Sequence, residues 1–214
     1  MQIAILGAGN VGGALGRGWA RAGHHIAYGV PDPAQAKYRT VARAAGDAAV
    51  VSVADATQGA DVIVLAVPFG TAGDALAAAG NLAGRIVVDA TNPLRMGREG
   101  LELALGFSES GGERIAELAR GAAVFKTLNQ IGFEMMADNA GFSTRPVMFV
   151  AGDDEERKPV VLRLVGDLGF EAVDAGRLAV ARLLEPFGML WIHMAVNQKT
   201  GRDRAFAWLP RGGG

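Results

Sequence analysis

The chain has 214 residues, half of them hydrophobic, with a formal net charge of −1 and no cysteine. That length can bury a sizeable core, and neither the charge balance nor the few scattered aromatic residues offers a footprint for nucleic acid. Without cysteine, disulfides and thiolate metal sites are excluded; a reducing cytosol is compatible with that composition.

The predicted elements follow in chain order. "QIAIL" is a short apolar run ending at glycine and is predicted as a buried strand. Val11, Leu15, Trp19 and Ala22 then share one stripe of a helix that stops at Gly23. "HIAYGV" is a second strand, and Asp32 and Pro33 turn the chain into a helix over residues 34–46. "AAVVSV" is a third strand and "DVIVLAVP" a fourth, ended by Pro68. A short helix in "GTAGDALAAAG" precedes a fifth strand, "RIVVDA". Residues 93–110 are less regular. A helix over residues 112–120 leads to a sixth strand, "AAVFKTLN". "PVMFVAG" and "FEAVDAG" are two more, joined by a helix that starts near Lys158, so that Pro159 falls in its first turn. The last helix covers residues 183–196, with Phe187, Leu190, Trp191 and Met194 on a broad apolar stripe. The terminal "RGGG" reads as a frayed tail.

Strands that are apolar on both faces, alternating with helices, imply an α/β fold: a Rossmann-like, doubly wound, mostly parallel sheet with a C-terminal helix. The whole chain, 1–214, is expected to be one dinucleotide-binding domain, with 178–214 as a helical extension and tail. The opening "MQIAILGAGNVGGALG" lacks the basic flank of a signal peptide. No uninterrupted apolar run approaches the ~20 residues of a membrane span. A soluble cytoplasmic protein with neither membrane nor nucleic-acid partners is expected.

The stretch "GAGNVGG" at residues 7–13 carries the pattern G-x-G-x-x-G between a predicted strand and a predicted helix. In that context Gly7 allows the tight turn, Gly9 lets the backbone approach a pyrophosphate, and Gly12 lets the helix pack on the strand. The helix N-terminus would face the phosphates. A tight turn with no ligand is the alternative, and the flanking elements argue against it. The second strand should choose between NAD and NADP. Asp32 lies twenty positions after Gly12, which suits a ribose 2′-hydroxyl, but an aspartate before proline also suits a helix cap. The choice between NAD and NADP stays open. Three further strand ends should line the cleft: Val67-Pro68-Phe69, the "DATNP" segment with Thr91, Asn92 and Pro93, and Thr127 to Asn129. Asn92 and Asn129 could bond a ribose or carboxamide, or satisfy their own turns.

These residues resemble the F420-dependent NADP reductases and their bacterial relatives. The likeness runs through "IAILGAGNVGGALGRGWARAGHHIAYG", "ADVIVLAVPF", "FSESGGERIAEL", "VFKTLNQIG", "VMFVAGDD" and "GFEAVDAGRLAVARLLEP". It implies hydride transfer between NADP(H) and a deazaflavin, in a homodimer. It implies that Ala8, Gly9, Asn10 and Val11 belong to the NADP loop, that Phe69 lies near the nicotinamide, and that Asn129, Ile131 and Phe133 lie near the deazaflavin. The family's Ser-Arg-Arg segment after the second strand is replaced by Val30-Pro31-Asp32, which removes the arginines that would grip a 2′-phosphate.

Transfer between two cofactors needs stacked rings more than an acid or base. That suits a chain with three histidines, no paired-carboxylate motif and no expected metal site. His24 and His25 are expected to be solvated, opposite the cleft. His193 on the last helix is the one candidate proton donor, with an interface role as the alternative. Glu185 is expected to pair with Arg182. Met189, Trp191 and Met194 are expected to help complete the pocket, with a partner subunit docked through the terminal helix. Two other functions stay open: reduction of a small carbonyl or imine by NAD(P)H, and a non-catalytic NAD(P)H sensor.

Overall fold

The computed structural model describes residues 1–98 and 100–211, so the last three glycines of the "RGGG" tail lie outside the described residues. In its first half, β1 (Gln2–Leu6), α1 (Asn10–Arg21), β2 (His25–Gly29), α2 (Tyr38–Ala44) and β3 (Ala49–Val51) are followed by α3 (Val53–Thr57), β4 (Val62–Leu65), α4 (Ala72–Ala79) and β5 (Ile86–Asp89). The second half holds a hairpin of β6 (Leu94–Gly97) and β7 (Gly100–Leu103), then α5 (Gly111–Leu118), β8 (Ala123–Lys126), α6 (Phe133–Ala137), β9 (Val147–Gly152), α7 (Lys158–Asp167), β10 (Glu171–Gly176) and α8 (Ala181–Ile192). A single π-helical turn, His193–Asn197, extends α8.

Eight strands form one sheet in the order β10-β9-β8-β5-β4-β1-β2-β3. From β3 through β8 every pairing is parallel. The antiparallel β8–β9 pair and the parallel β9–β10 pair complete it. The winding reverses between β1 and β4, which pair from Ile3 opposite Val62 to Leu6 opposite Leu65. That crevice, beyond the carboxyl ends of the strands, is where doubly wound folds bind ligands.

Side-chain alternation explains why these strands carry no polar face. Ile3, Ile5, Val62 and Val64 point into a core shared with α1, α6 and α7. Ala4, Leu6, Ile63 and Leu65 point into a second core under α3, α4 and α5. Burial on both faces needs apolar residues at both parities, and the sequence supplies them. Trp19 of α1 is fully buried, and its indole donates to the Leu164 carbonyl of α7 at 2.8 Å.

Several local expectations need correction. The helix expected over residues 34–46 spans only Tyr38–Ala44, and Asp32 does not cap it. Its carboxylate instead accepts the Ala34 amide at 3.2 Å, closing a local turn six residues before the helix. Ser52 ends the third strand early by capping α3. The irregular stretch after Pro93 holds the β6–β7 hairpin. The last helix begins two residues earlier than expected, which places Pro186 in its interior. By contrast, α7 does start at Lys158 with Pro159 in its first turn. His24 is not free in solvent: its ring lies 3.0 Å from Asp167 and its side chain is 10% exposed.

The run Leu178–Asn197 is long and apolar enough, by length and composition, to cross a membrane, with a mean hydropathy of 1.2. It is interrupted by Arg182 and Glu185, both paired to other elements of the fold.

Candidate functional site

The glycine loop leaves β1 at Leu6 and enters α1 at Asn10. Each glycine meets a different constraint. Gly7 has φ +104°, and a Cβ there would lie 2.6 Å from the Ala66 carbonyl oxygen of the neighbouring strand end. A Cβ on Gly12 would sit 2.0 Å from the Gly7 carbonyl oxygen, so only glycine allows α1 to pack this closely on its own turn. Gly9 is different: a Cβ there would have no atom within 4 Å. Neither packing nor dihedral angle requires glycine there, since its φ of −83° and ψ of −161° are extended. The open space in front of it, at the N-terminus of a twelve-residue helix with no side-chain cap and no acidic residue in its first turn, fits a phosphate group. Ala8 and Val11 are half-buried beside it, and Asn10 is exposed.

At the end of β2, Val30 is buried and its amide donates to Val51 at 3.0 Å. Pro31 and Asp32 follow on the surface. Both oxygens of Asp32 are engaged locally, by the Ala34 amide and by the Gln35 side-chain amide at 3.2 Å.

The ends of β4, β5 and β8 lie side by side, because Leu65 pairs with Asp89 and Asp89 with Lys126. Val67 and Phe69 are half-buried and Pro68 exposed after β4. After β5 and β8, Asn92 and Asn129 bind each other rather than their own turns. The Asn92 side-chain amide donates to the Asn129 carbonyl at 2.8 Å, and the Asn129 amide to Asn92 Oδ1 at 3.0 Å. Asn129 also donates to the Leu184 carbonyl of α8 at 3.0 Å, and Gln130 donates to Asn129 Oδ1 at 3.1 Å. The two asparagines thus weld strand ends together and spend their side-chain amides on protein groups.

Beneath this clamp lies a charged cluster that sequence reasoning missed. Lys126, Asp89 and Glu185 are all buried. The Lys126 ammonium lies 2.9 Å from Asp89 Oδ2 and 2.9 Å from Glu185 Oε1, and donates to the Thr91 carbonyl at 2.7 Å. Asp89 Oδ1 accepts the amide and hydroxyl of Thr91 at 2.9 and 2.7 Å. The Glu185 oxygens accept the Gly111 and Gly112 amides that open α5, at 2.8 and 2.9 Å. Lys126 thus donates to Asp89 and Thr91 and is ion-paired to Glu185, whose charge is also balanced by a helix N-terminus. A signal existed in the sequence: a lysine within "AVFKTLN" and an aspartate closing "IVVD" interrupt strands expected to be buried. The expected Glu185–Arg182 pair does not form; Arg182 turns to Glu113 of α5, 2.6 Å away. That guanidinium, with Ser110, holds the Glu113 carboxyl below the usual carboxylate range.

The outer wall belongs to α6 and α8. Ile131 is buried, and Phe133 and Met189 are half-buried. Trp191 packs on Gly132, where a Cβ would lie 2.5 Å from its ring. His193 is exposed on the π turn, its ring nitrogens 3.3 Å from the amides of Asn197 and Gln198. A cavity of about 720 Å³ opens behind Trp191 and Met194, between the π turn and the tail around Phe206; no residue of the glycine loop lines it. Among the described residues no group of three or more His, Asp or Glu is placed to hold a metal ion.

A mostly parallel sheet that reverses at β1, with this glycine loop at the reversal, defines the Rossmann class of dinucleotide-binding folds. Comparison with known proteins narrows the class. Residues 2–93 match the family described as NADP oxidoreductase coenzyme F420-dependent. A structure from Arthrobacter sp. FB24, assigned as an F420-dependent NADP-reductase, is 32% identical and superposes with a TM-score of 0.85, covering 94% of this chain and 96% of its own. The rat metalloreductase STEAP3 is 28% identical over 184 residues; these make up 86% of this chain but only 36% of that protein. A reductive aminase from Aspergillus terreus, solved with NADPH, shares the fold at 20% identity and a TM-score of 0.67, over 93% of this chain and 64% of its own. The chain belongs to the family of coenzyme F420-dependent NADP oxidoreductases.

Proposed function

We propose that the protein transfers a hydride between NADP(H) and coenzyme F420 or a related flavin. The observation that carries the dinucleotide half is the open face of Gly9 at an uncapped helix N-terminus, on the crevice where the sheet reverses. The family and the Arthrobacter structure support the acceptor half. The bound nicotinamide supplies the hydride. The chain's own task is to hold and orient: Gly7, Ala8, Gly9, Asn10, Val11 and Gly12 bind the pyrophosphate, and Val30 and Asp32 flank the adenosine end. Val67, Pro68, Phe69, Thr91, Asn92 and Pro93 form the floor under the nicotinamide. Ile131, Phe133 and Met189 face the acceptor beside Asn129. His193 is turned to the end of its own helix and takes no part in this reading.

Asp32 sets this chain apart from NADP enzymes with arginines at that turn. A carboxylate near the 2′-position repels a phosphate, so NADH is accepted alongside NADPH. We further propose a cytoplasmic homodimer. Leu183, Leu190 and Met194 form a stripe on the outward side of α8 and its π turn, exposed by 70, 48 and 42%. Such a stripe suits an isologous helix–helix contact.

The test is to follow NADPH and NADH oxidation separately with F420, with FMN and with no acceptor, alongside calorimetric binding of each nucleotide. Oxidation with F420 or FMN is expected, and replacing Asp32 with serine should raise the NADPH-to-NADH preference about tenfold, or 1.4 kcal/mol. Failure to bind either nucleotide overturns the reading. Tight binding without turnover of any acceptor makes the protein a sensor.

A further inference from the structure

We propose that the buried Lys126–Asp89–Glu185 cluster is a positioning device that latches α8 onto the strand ends and so sets the acceptor side of the site; Lys126 is its central positioning residue. The inference rests on the hydride-transfer reading only for where the acceptor lies.

The argument starts from what each group touches. Lys126 ends β8 and Asp89 ends β5, at paired positions of adjacent parallel strands. Asp89 holds Thr91 by its amide and hydroxyl while Lys126 holds the Thr91 carbonyl. The peptide leading into Asn92 and Pro93 is thus held from both sides. Glu185 reaches down from α8 to the same ammonium and at the same time binds the first two amides of α5. Strands β5 and β8 and helix α8 meet on one buried ammonium, and Glu185 ties in α5.

The contacts around the cluster point outward to the cleft. A Cβ on Gly111 would lie 3.0 Å from Glu185 Oε1, 3.0 Å from the Phe69 ring and 3.3 Å from Pro93 Cδ. The amide end that Glu185 binds therefore packs directly against the proposed nicotinamide floor. One turn along α8, a Cβ on Gly188 would lie 2.6 Å from the Asn129 carbonyl and 3.2 Å from Asn92 Oδ1. Ala181, Leu184, Glu185, Gly188 and Trp191 are the buried face of α8; Leu184, Glu185 and Gly188 contact the β5–β8 strand ends and Trp191 contacts Gly132. Apolar packing alone would let this helix slide or rotate. A charged side chain that must meet one ammonium and two amides fixes its register, because any displacement leaves a buried charge unpaired.

A second buried lysine provides the comparison. Lys158 binds Glu155 and Asp174, bridging the start of α7 to the end of β10. The register runs from Lys126 through Ala151 to Gly176, so that bridge lies at about the same level of the sheet, two strands away on the β10 edge. It is as buried as Lys126, but it binds Glu155 before α7 and Asp174 and Gly176 of β10, and no group of β5, β8 or α8.

The test uses Glu185→Gln, which leaves Lys126 and Asp89 as a balanced pair and so keeps the fold, beside Lys126→Met and Lys158→Met. Hydrogen exchange of the α8 amides and of the Thr91 and Asn92 amides, measured without any acceptor, should quicken in Glu185→Gln and Lys126→Met but not in Lys158→Met. NADPH affinity should stay within about twofold, while kcat/KM for the acceptor falls about ten- to a hundredfold. If Lys126→Met does not fold, Glu185→Gln carries the test by itself. Wild-type exchange rates for α8 in Glu185→Gln overturn the latch, as does a loss of NADPH affinity as large as the loss of turnover. A wild-type protein that binds NADPH but reduces neither F420 nor FMN would sink the functional reading instead, and the exchange result would still stand.

Discussion

Gly9 and Gly12 stand three residues apart in one motif, yet opposite effects follow from adding the same methyl group to each. At Gly12, a Cβ falls 2.0 Å from the Gly7 carbonyl oxygen, 3.0 Å from its carbon and 3.2 Å from Ile5 Cγ2. The first two are backbone atoms that no rotamer change can move, so α1 must lift from β1. Overpacking of this kind costs about 1–3 kcal/mol, and a backbone clash belongs at the upper end. For a chain of this size each kcal/mol lowers the melting temperature by about 2–4 °C, so a cost of about 2–3 kcal/mol should make Gly12→Ala melt about 4–12 °C lower. At Gly9 the added Cβ meets no atom within 4 Å, and the backbone is already extended. Alanine there narrows the unfolded ensemble and should stabilise the free protein by about 0.4–1 kcal/mol. The same methyl occupies the space assigned to the pyrophosphate. Gly9→Ala should therefore weaken NADPH binding at least about tenfold, and Gly9→Val further. Thermal melts without ligand, paired with calorimetric titration of NADPH, check both signs. A Gly9→Ala variant that melts lower than wild type, or binds NADPH unchanged, would refute the assignment. So would a Gly12→Ala variant of undiminished stability.

Other consequences follow from burial and charge. The Tyr28 hydroxyl is buried with no hydrogen-bond partner among the described residues, so Tyr28→Phe should stabilise the fold by about 1 kcal/mol in thermal or urea melts. Burial also pushes the Tyr28 phenol up to about 12. The unfolded chain ionises first, near pH 10, so wild-type stability should fall between pH 10 and 12 while that of the Phe variant does not; parallel curves would contradict this. The Glu113 carboxyl is held low chiefly by its hydrogen bonds from Arg182, so the pair's contribution is present at neutral pH and is lost as pH falls below the ordinary carboxylate range. Glu113→Gln should thus melt below wild type at pH 7, with the gap narrowing as the pH is lowered through and below the carboxylate range, and a gap that does not change with pH would count against the pair. If two copies meet through α8, Leu190→Glu should convert a dimer to a monomer in sedimentation; a wild-type monomer at all concentrations would end that proposal.

Much of the scaffold was legible because strand periodicity and glycine spacing are local. Apolar runs such as "DVIVLAVP" can satisfy only a sheet covered on both faces, and β4 is buried at every position. The start of α7 followed from where proline can sit in a helix. The β6–β7 hairpin was not legible, because its residues are half-buried or exposed and carry little apolar alternation. Nor was the direction of β9, since an apolar strand reads alike either way round.

The sequence by itself determined the dinucleotide fold and the place of its glycine loop, because a turn at φ +104° and a helix packed on its own entry loop each demand glycine at a set spacing. Only the tertiary structure decided which side chains meet beneath the cleft. Asp89, Lys126 and Glu185 lie far apart along the chain, and two of them stand at the ends of strands neighbouring only through the parallel register. Long-range pairing of charges depends on that register, and no local pattern encodes it. The same holds for Asn92 and Asn129, which local rules place in separate turns and the fold joins to each other.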